Sequence, residues 1–221
     1  MNTLDGKVVL IAGAGRGMGR VLAERFAGQG ARLAANDISP NNVEQVVAGL
    51  PGARAYVEDI TRKMAVQALV KQVEDDFGRI DILINHAAVE PQIPLLDMDE
   101  WDWHRTLDVN LTGAFLMMQS IGRMMREQGR GVMVNIIQAG GLASESRAAY
   151  LASMSGLAGL TRAAAGEFSR YNIRVHAVGT GLGAFQYADG PVANNVAESV
   201  LYLCGEAAAD LNGQIINVEE P

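Results

Sequence analysis

Four glycines at alternate positions, Gly13, Gly15, Gly17 and Gly19, stand between the apolar run Val8 to Ala12 and a segment in which Val21, Leu22 and Phe26 alternate with Arg20, Glu24 and Arg25 at helical spacing. An unbroken apolar run of that length reads as a strand buried on both faces. Strand, glycine turn and helix in that order form a device for holding a diphosphate. The turn brings backbone close to the phosphates without an intervening Cβ, and the helix start offers unpaired N–H groups and the positive end of its dipole. The next apolar run, Ala31 to Asn36, ends at Asp37. A carboxylate there accepts hydrogen bonds from two ribose hydroxyls and repels a 2′-phosphate; its other reading is an N-cap for the helix after Pro40. Together these residues favour a dinucleotide site over a plain tight turn.

The elements that must position these groups alternate along the whole chain. Strands are expected near 7–12, 31–36, 53–57, 80–85, 131–137, 172–178 and 213–217. Helices are expected near 18–28, 41–49, 62–77, 98–127 (with a break), 148–170 and 192–205. Strict alternation implies an α/β fold, a three-layer doubly wound parallel sheet of about seven strands with helices on both faces, and one domain over 1–221. The 221 residues suffice for a sizeable core, and 49% hydrophobic with 19% charged residues excludes a disordered chain. A net charge of -7 with no basic stripe argues against nucleic acid as a partner. No segment is apolar for long enough to span a bilayer, and the N-terminus lacks a basic leader, so a cytoplasmic protein is expected. The one cysteine, Cys204, reads as a buried small hydrophobe. His86, His104 and His176 have no metal spacing, and no metal is expected. Trp101 and Trp103 open an amphipathic helix and read as packing groups.

The glycines at 13, 17 and 19 follow the pattern G-x-x-x-G-x-G. Further on come Val57-Glu58-Asp59-Ile60-Thr61, Asn85-His86-Ala87-Ala88, Val109-Asn110-Leu111-Thr112-Gly113, Tyr150-Leu151-Ala152-Ser153-Met154 and Leu211-Asn212-Gly213-Gln214. With these motifs the chain resembles the short-chain dehydrogenases/reductases over essentially its whole length. The resemblance implies a cofactor set of Gly13, Arg16, Gly17, Met18, Gly19, Asp37, Asp59, Ile60, Asn85 and Ala87. It implies NAD over NADP, with Asp37 outweighing Arg16, which in NADP-using members faces the 2′-phosphate. It also implies catalytic roles for Asn110, which distorts its helix and holds a water of the proton relay, and for Tyr150. Asp59 has a second reading as a turn or cap residue, and Asn110 one as a partner of a nearby carbonyl. A homodimer or homotetramer through the Asn110 and Tyr150 helices is implied, as is a small alcohol or carbonyl substrate.

Several motif positions depart from the family. The two serine places after the fifth strand hold Ile137 and Gln138, and the lysine place of Y-x-x-x-K holds Met154. Spacing of four puts Tyr150 and Met154 on one helical face, yet methionine brings neither charge nor donor. A phenol left at a pKa of about 10 is only about 0.1% ionised at pH 7. Gln138 retains an NH₂ that can donate to a carbonyl, Ser144 and Ser146 lie in the loop beyond, and Arg147 lies three places before the tyrosine. His86 stands where the family has asparagine and reads as a structural substitution. Only the glycine of the family's proline-glycine turn persists, in Gly179-Thr180-Gly181, and the substrate lid between 181 and 197 is largely absent. Two readings follow. In the first, the chain binds NAD(H) with hydride transfer impaired or lost. In the second, it is an active NAD-dependent alcohol/carbonyl oxidoreductase using Tyr150 with altered partners.

Overall fold

A computed structural model of the chain describes residues 4–138, 146–180 and 191–218. It forms the expected three-layer α/β fold. Seven parallel strands, β1 (Val8–Ala12), β2 (Arg32–Asn36), β3 (Arg54–Tyr56), β4 (Ile82–Asn85), β5 (Gly131–Gln138), β6 (Ile173–Thr180) and β7 (Ile215–Val218), lie in the order β3-β2-β1-β4-β5-β6-β7. The helices between them are α1 (Gly17–Gly28), α2 (Pro40–Ala48), α3 (Lys63–Phe77), α4 (Glu100–Leu107), α5 (Ala114–Gln128), α6 (Ala148–Phe168) and α7 (Pro191–Cys204). The order reverses between β1 and β4, where the connections leave in opposite directions and open a crevice at the strands' C-terminal ends.

Side chains alternate across the sheet and fill a core on each face. Val9, Ile11, Ile82, Ile84, Val134 and Val178 pack toward α1, α2 and α7. Val8, Leu10, Leu83, Met133 and Val175 pack toward α3 and α5. A smaller cluster, Ala114, Ile137, Tyr150, Met154, Leu157 and Ala177, sits where α6 crosses the end of the sheet. The expected break in the long fourth helix is a π-helical segment, Asp108–Gly113, joining α4 to α5 and carrying Asn110. Its last residue is Gly113, where a Cβ would lie 2.8 Å from Cδ1 of Ile60.

One sequence expectation changes. Trp101 is not a packing group: it is 64% exposed, with the Arg105 guanidinium over its ring, because it lies on the outward side of α4. Residues 191–197 belong to α7, while 181–190, the rest of the expected lid stretch, and Ser144 lie outside the described residues. Cys204 is buried, as expected. Among the described residues no helix is long and apolar enough to cross a membrane, and no group of side chains is placed to hold a metal ion.

Candidate active site

The glycine turn is built by backbone contact. The N–H groups of Gly13 and Ala14 both donate to the Asn36 carbonyl, at 2.8 and 2.9 Å, tying the turn to the end of β2. Gly13 has φ +82°, and a Cβ on it would lie 2.6 Å from the backbone of Ala87. A Cβ on Gly19 would sit 1.9 Å from the Gly13 carbonyl oxygen. The helix can begin this close to the strand only without that atom. Gly17, at φ +54°, takes the left-handed conformation that turns the chain into α1. The first turn of α1 has no side-chain cap and no acid, so its N–H groups keep their positive field for an incoming anion.

Asp37 works within the same turn. Its Oδ2 accepts the Gly15 N–H at 2.9 Å and its Oδ1 accepts the Ser39 N–H at 3.0 Å. An ionised carboxylate has about four acceptor positions, so two are used and the rest remain for ribose hydroxyls. The N-cap of α2 is Ser39, not Asp37. Asp59 closes a turn of its own, accepting from the backbone N–H and the hydroxyl of Thr61 at 3.0 and 2.7 Å. The cleft between these loops has a volume of about 290 Å³, and its walls include Gly13, Arg16, Asp37, Asp59, Ile60 and Ala87 from the expected cofactor set.

Other members of that set sit behind the wall. Met18 sends its side chain into the core, leaving only its backbone for a ligand, and Gly19 packs on Gly13. Asn85 donates to Asn135 Oδ1 at 2.8 Å, and Asn135 donates to the Thr161 hydroxyl at 2.9 Å, a buried polar tie between β4, β5 and α6. His86 is buried with Nδ1 3.0 Å from the Gly13 carbonyl oxygen, and burial holds its pKa below the usual imidazole value. It supports the glycine turn, as the structural reading expects. Arg105, on α4, and Val109, on the π-helical segment, also line the cleft; neither was among the expected cofactor residues.

At the other end of the cleft Asn110 forms a clasp. Its Oδ1 accepts the Val89 N–H at 2.8 Å, and its Nδ2 donates to the Val89 carbonyl at 2.9 Å and to Ser153 Oγ at 3.0 Å. Ser153 in turn donates to the Tyr150 carbonyl at 2.7 Å. The carbonyl partner left open by the sequence is therefore Val89, from the loop after β4.

Tyr150 and Met154 are 1% and 2% exposed. Burial pushes the Tyr150 phenol pKa up, the Glu90 carboxylate pushes it further, and Arg147 opposes both. Gln138, at the end of β5, accepts a hydrogen bond from Arg147 Nη2 at 2.8 Å. The same Nη2 is 2.5 Å from Glu90 Oε1, and the guanidinium lies 5.0 Å from the centre of the Tyr150 ring. Thus Glu90, Arg147 and Gln138 meet beside the tyrosine. Glu90 carried no sequence signal, because only the fold brings its loop to the start of α6. Ser146, at φ +65°, precedes Arg147 and passes its carbonyl to the Ile93 N–H at 2.9 Å, a second link between those segments.

Residues 7–188 match the family model described as short chain dehydrogenase, and the chain belongs to that family. Members bind a nicotinamide cofactor, which the unfilled N–H groups and carboxylate of this cleft fit. Among its relatives is a D-threitol dehydrogenase of Mycolicibacterium smegmatis, 35% identical over 95% of this chain and 90% of the relative. An NAD-dependent glycerol dehydrogenase of Listeria innocua is 37% identical over 78% of this chain and 68% of its own. A solved short chain dehydrogenase from Mycobacterium smegmatis superposes with a TM-score of 0.91, at 31% identity, over 100% of this chain and 94% of that one.

Proposed function

We propose that this protein binds NAD(H) in the cytoplasm and that its capacity for hydride transfer with a small alcohol or carbonyl is impaired or lost. When bound, the cofactor would accept or deliver the hydride; the chain's residues would position it and manage the proton. The first turn of α1 would face the pyrophosphate, Asp37 the adenosine ribose, and Asp59 and Ile60 the adenine end. Asp37 supports NAD over NADP, and a relative is named for NAD. The observation that carries the reading is Met154, buried against Tyr150 where the family's cation stands. Without that charge, and with burial and Glu90 raising its pKa, the phenol holds its proton too firmly to trade it near neutral pH.

The active-enzyme reading has one specific support: the Arg147 guanidinium over the Tyr150 ring, a cation on the same side chain by another route. The apolar groove between α5 and α6, with Phe115, Met118, Leu160 and Phe168 in its walls, supports self-association through these helices. The test is calorimetric titration with NADH and NADPH, followed by turnover assays with NAD and glycerol or threitol. The expected result is NADH binding at least about tenfold tighter than NADPH, with turnover at background. Turnover that Tyr150→Phe abolishes would favour the active enzyme, and no binding of either nucleotide would overturn both readings.

A further inference from the structure

A cavity of about 280 Å³ opens at the edge of the sheet opposite the cofactor crevice. Ile82, Val132 and Arg174 are the first or second residues of β4, β5 and β6, share one register row, and all line it. Lys7 and Arg130, just before β1 and β5, and Glu206, beyond the end of α7, add further charges to its wall. Arg174 is its centre. Nη1 donates to the carbonyls of Leu203 and Ala208 at 2.8 and 2.7 Å, and Nη2 to that of Gly205 at 3.4 Å, so the side chain caps the C-terminal end of α7. A guanidinium has five N–H donors. These contacts use three, and the two left are on Nε and Nη2, neighbouring nitrogens whose spacing matches two oxygens of one anion.

The Arg174 charge has no counterpart. Its three partners are neutral carbonyls. Burial holds its pKa below the ordinary value, and no carboxylate among the described residues offsets that. The Cys204 thiol beside it stays protonated, its pKa pushed up to about 12 by burial. Asp81, on the same wall, is already committed: Oδ2 accepts the Val8 N–H and Oδ1 pairs with Arg79. The side chains of Lys7 and Arg130 have no ion-pair partner among the described residues. Met1, Asn2 and Thr3, which precede Leu4, have no carboxylate side chains. Three cations therefore stand against one uncommitted carboxylate, Glu206. A partly buried cation without a counter-ion is unfavourable, and an anion relieves it. We propose that this cavity binds a phosphate dianion, free or as the head of a small monoester, on the Nε–Nη2 edge of Arg174 with Lys7 and Arg130 beside it. The charge excess favours a dianion over a carboxylate. Leu4, Ile82 and Val132 form an apolar wall for the carbon body of an ester. The cofactor crevice lies at the other ends of these strands, so the occupant is neither cofactor nor substrate. It joins the starts of β1, β5 and β6 to the end of α7 and stabilises the folded chain.

The inference stands apart from the cofactor reading, and the test separates the two sites. Calorimetry near pH 8, where phosphate is a dianion, titrates inorganic phosphate and glycerol 3-phosphate at fixed ionic strength, without NADH and with NADH at saturation. At least one is expected to bind with a Kd below about 5 mM in both series. The ester binding more tightly makes a monoester the occupant, and equal affinities make it the free ion. Lys7→Gln combined with Arg130→Gln leaves the cap of α7 in place and weakens binding at least about tenfold. Glu206→Gln removes the opposing charge and tightens it at least about threefold, a gain that a misfolded variant would not give. No binding of either compound up to about 10 mM, an affinity that none of these substitutions changes, or displacement by NADH overturns the proposal. Phosphate binding without NADH binding would sink the cofactor reading and leave this site standing; NADH binding alone would do the reverse.

Discussion

The two ends of the cleft are held together by different kinds of contact. At the nucleotide end the fit is backbone against backbone: Gly13 against Ala87, Gly19 against the Gly13 carbonyl, and the Gly13 and Ala14 N–H groups on Asn36. At the reacting end it is side chain against side chain: Met154 on Tyr150 in an apolar cluster, and Arg147 shared by Glu90 and Gln138. A backbone site tolerates no added atom, whereas a side-chain site can be repacked while the strand and helix carrying it stay in place. Gln138 and Met154 can therefore occupy the side-chain end while the sheet beneath keeps its order.

The sharpest way to break this comparison is at Gly19. Gly19→Ala places a Cβ 1.9 Å from a carbonyl oxygen that is itself part of the turn, so α1 must move off the strand. The expected loss is about 4 kcal/mol, read from urea denaturation, together with loss of NADH binding. A change below about 1 kcal/mol would mean that the nucleotide end is as adaptable as the reacting end.

Met154→Lys asks the converse question. An ammonium would replace a thioether 2% exposed among Ala114, Ile137, Tyr150, Leu157 and Ala177. Burial lowers the folded-state pKa of such a lysine, so the unfolded chain binds more protons and stability rises with pH. The expected cost is about 3 kcal/mol near pH 7, partly recovered toward pH 10. No loss of stability at pH 7 would mean that the side chain reaches water, and that this end still has room for the family's lysine.

The difference in contacts also explains what the sequence revealed. The sheet, the alternation and the glycine turn were legible because each is written in local pattern: an apolar run, a glycine spacing, a helical period. Asp37 was legible because it ends a strand. The break at Asn110 was legible from its motif, but its form, a π-helical segment with the side chain clasping Val89, depends on a loop 21 residues earlier in the chain. Glu90 was invisible because its partner Arg147 is distant in sequence and only tertiary structure joins them. Met18, Asn85 and Gly19 belong to the cofactor set that the resemblance implies, and the side chains of Met18 and Asn85, like the missing Cβ of Gly19, also serve the packing beneath the cleft.

The smallest expected effect comes from outside both ends and sets the pH range in which they can be compared. His176 is fully buried on β6, on the sheet face covered by α7, and among the described residues neither ring nitrogen has a hydrogen-bond partner. Burial first, and then the nearby Arg174 charge, push its pKa from 6.5 down to about 4. The unfolded chain therefore takes up a proton near pH 6.5 that the folded chain refuses until about pH 4. Stability is unaffected above that window and falls as pH drops through it, by about 2 kcal/mol at pH 5. In His176→Leu the difference between urea midpoints at pH 7 and pH 5 is expected to shrink by the equivalent of that amount. If the wild type and the variant lose stability in parallel, the acid sensitivity lies in the carboxylates.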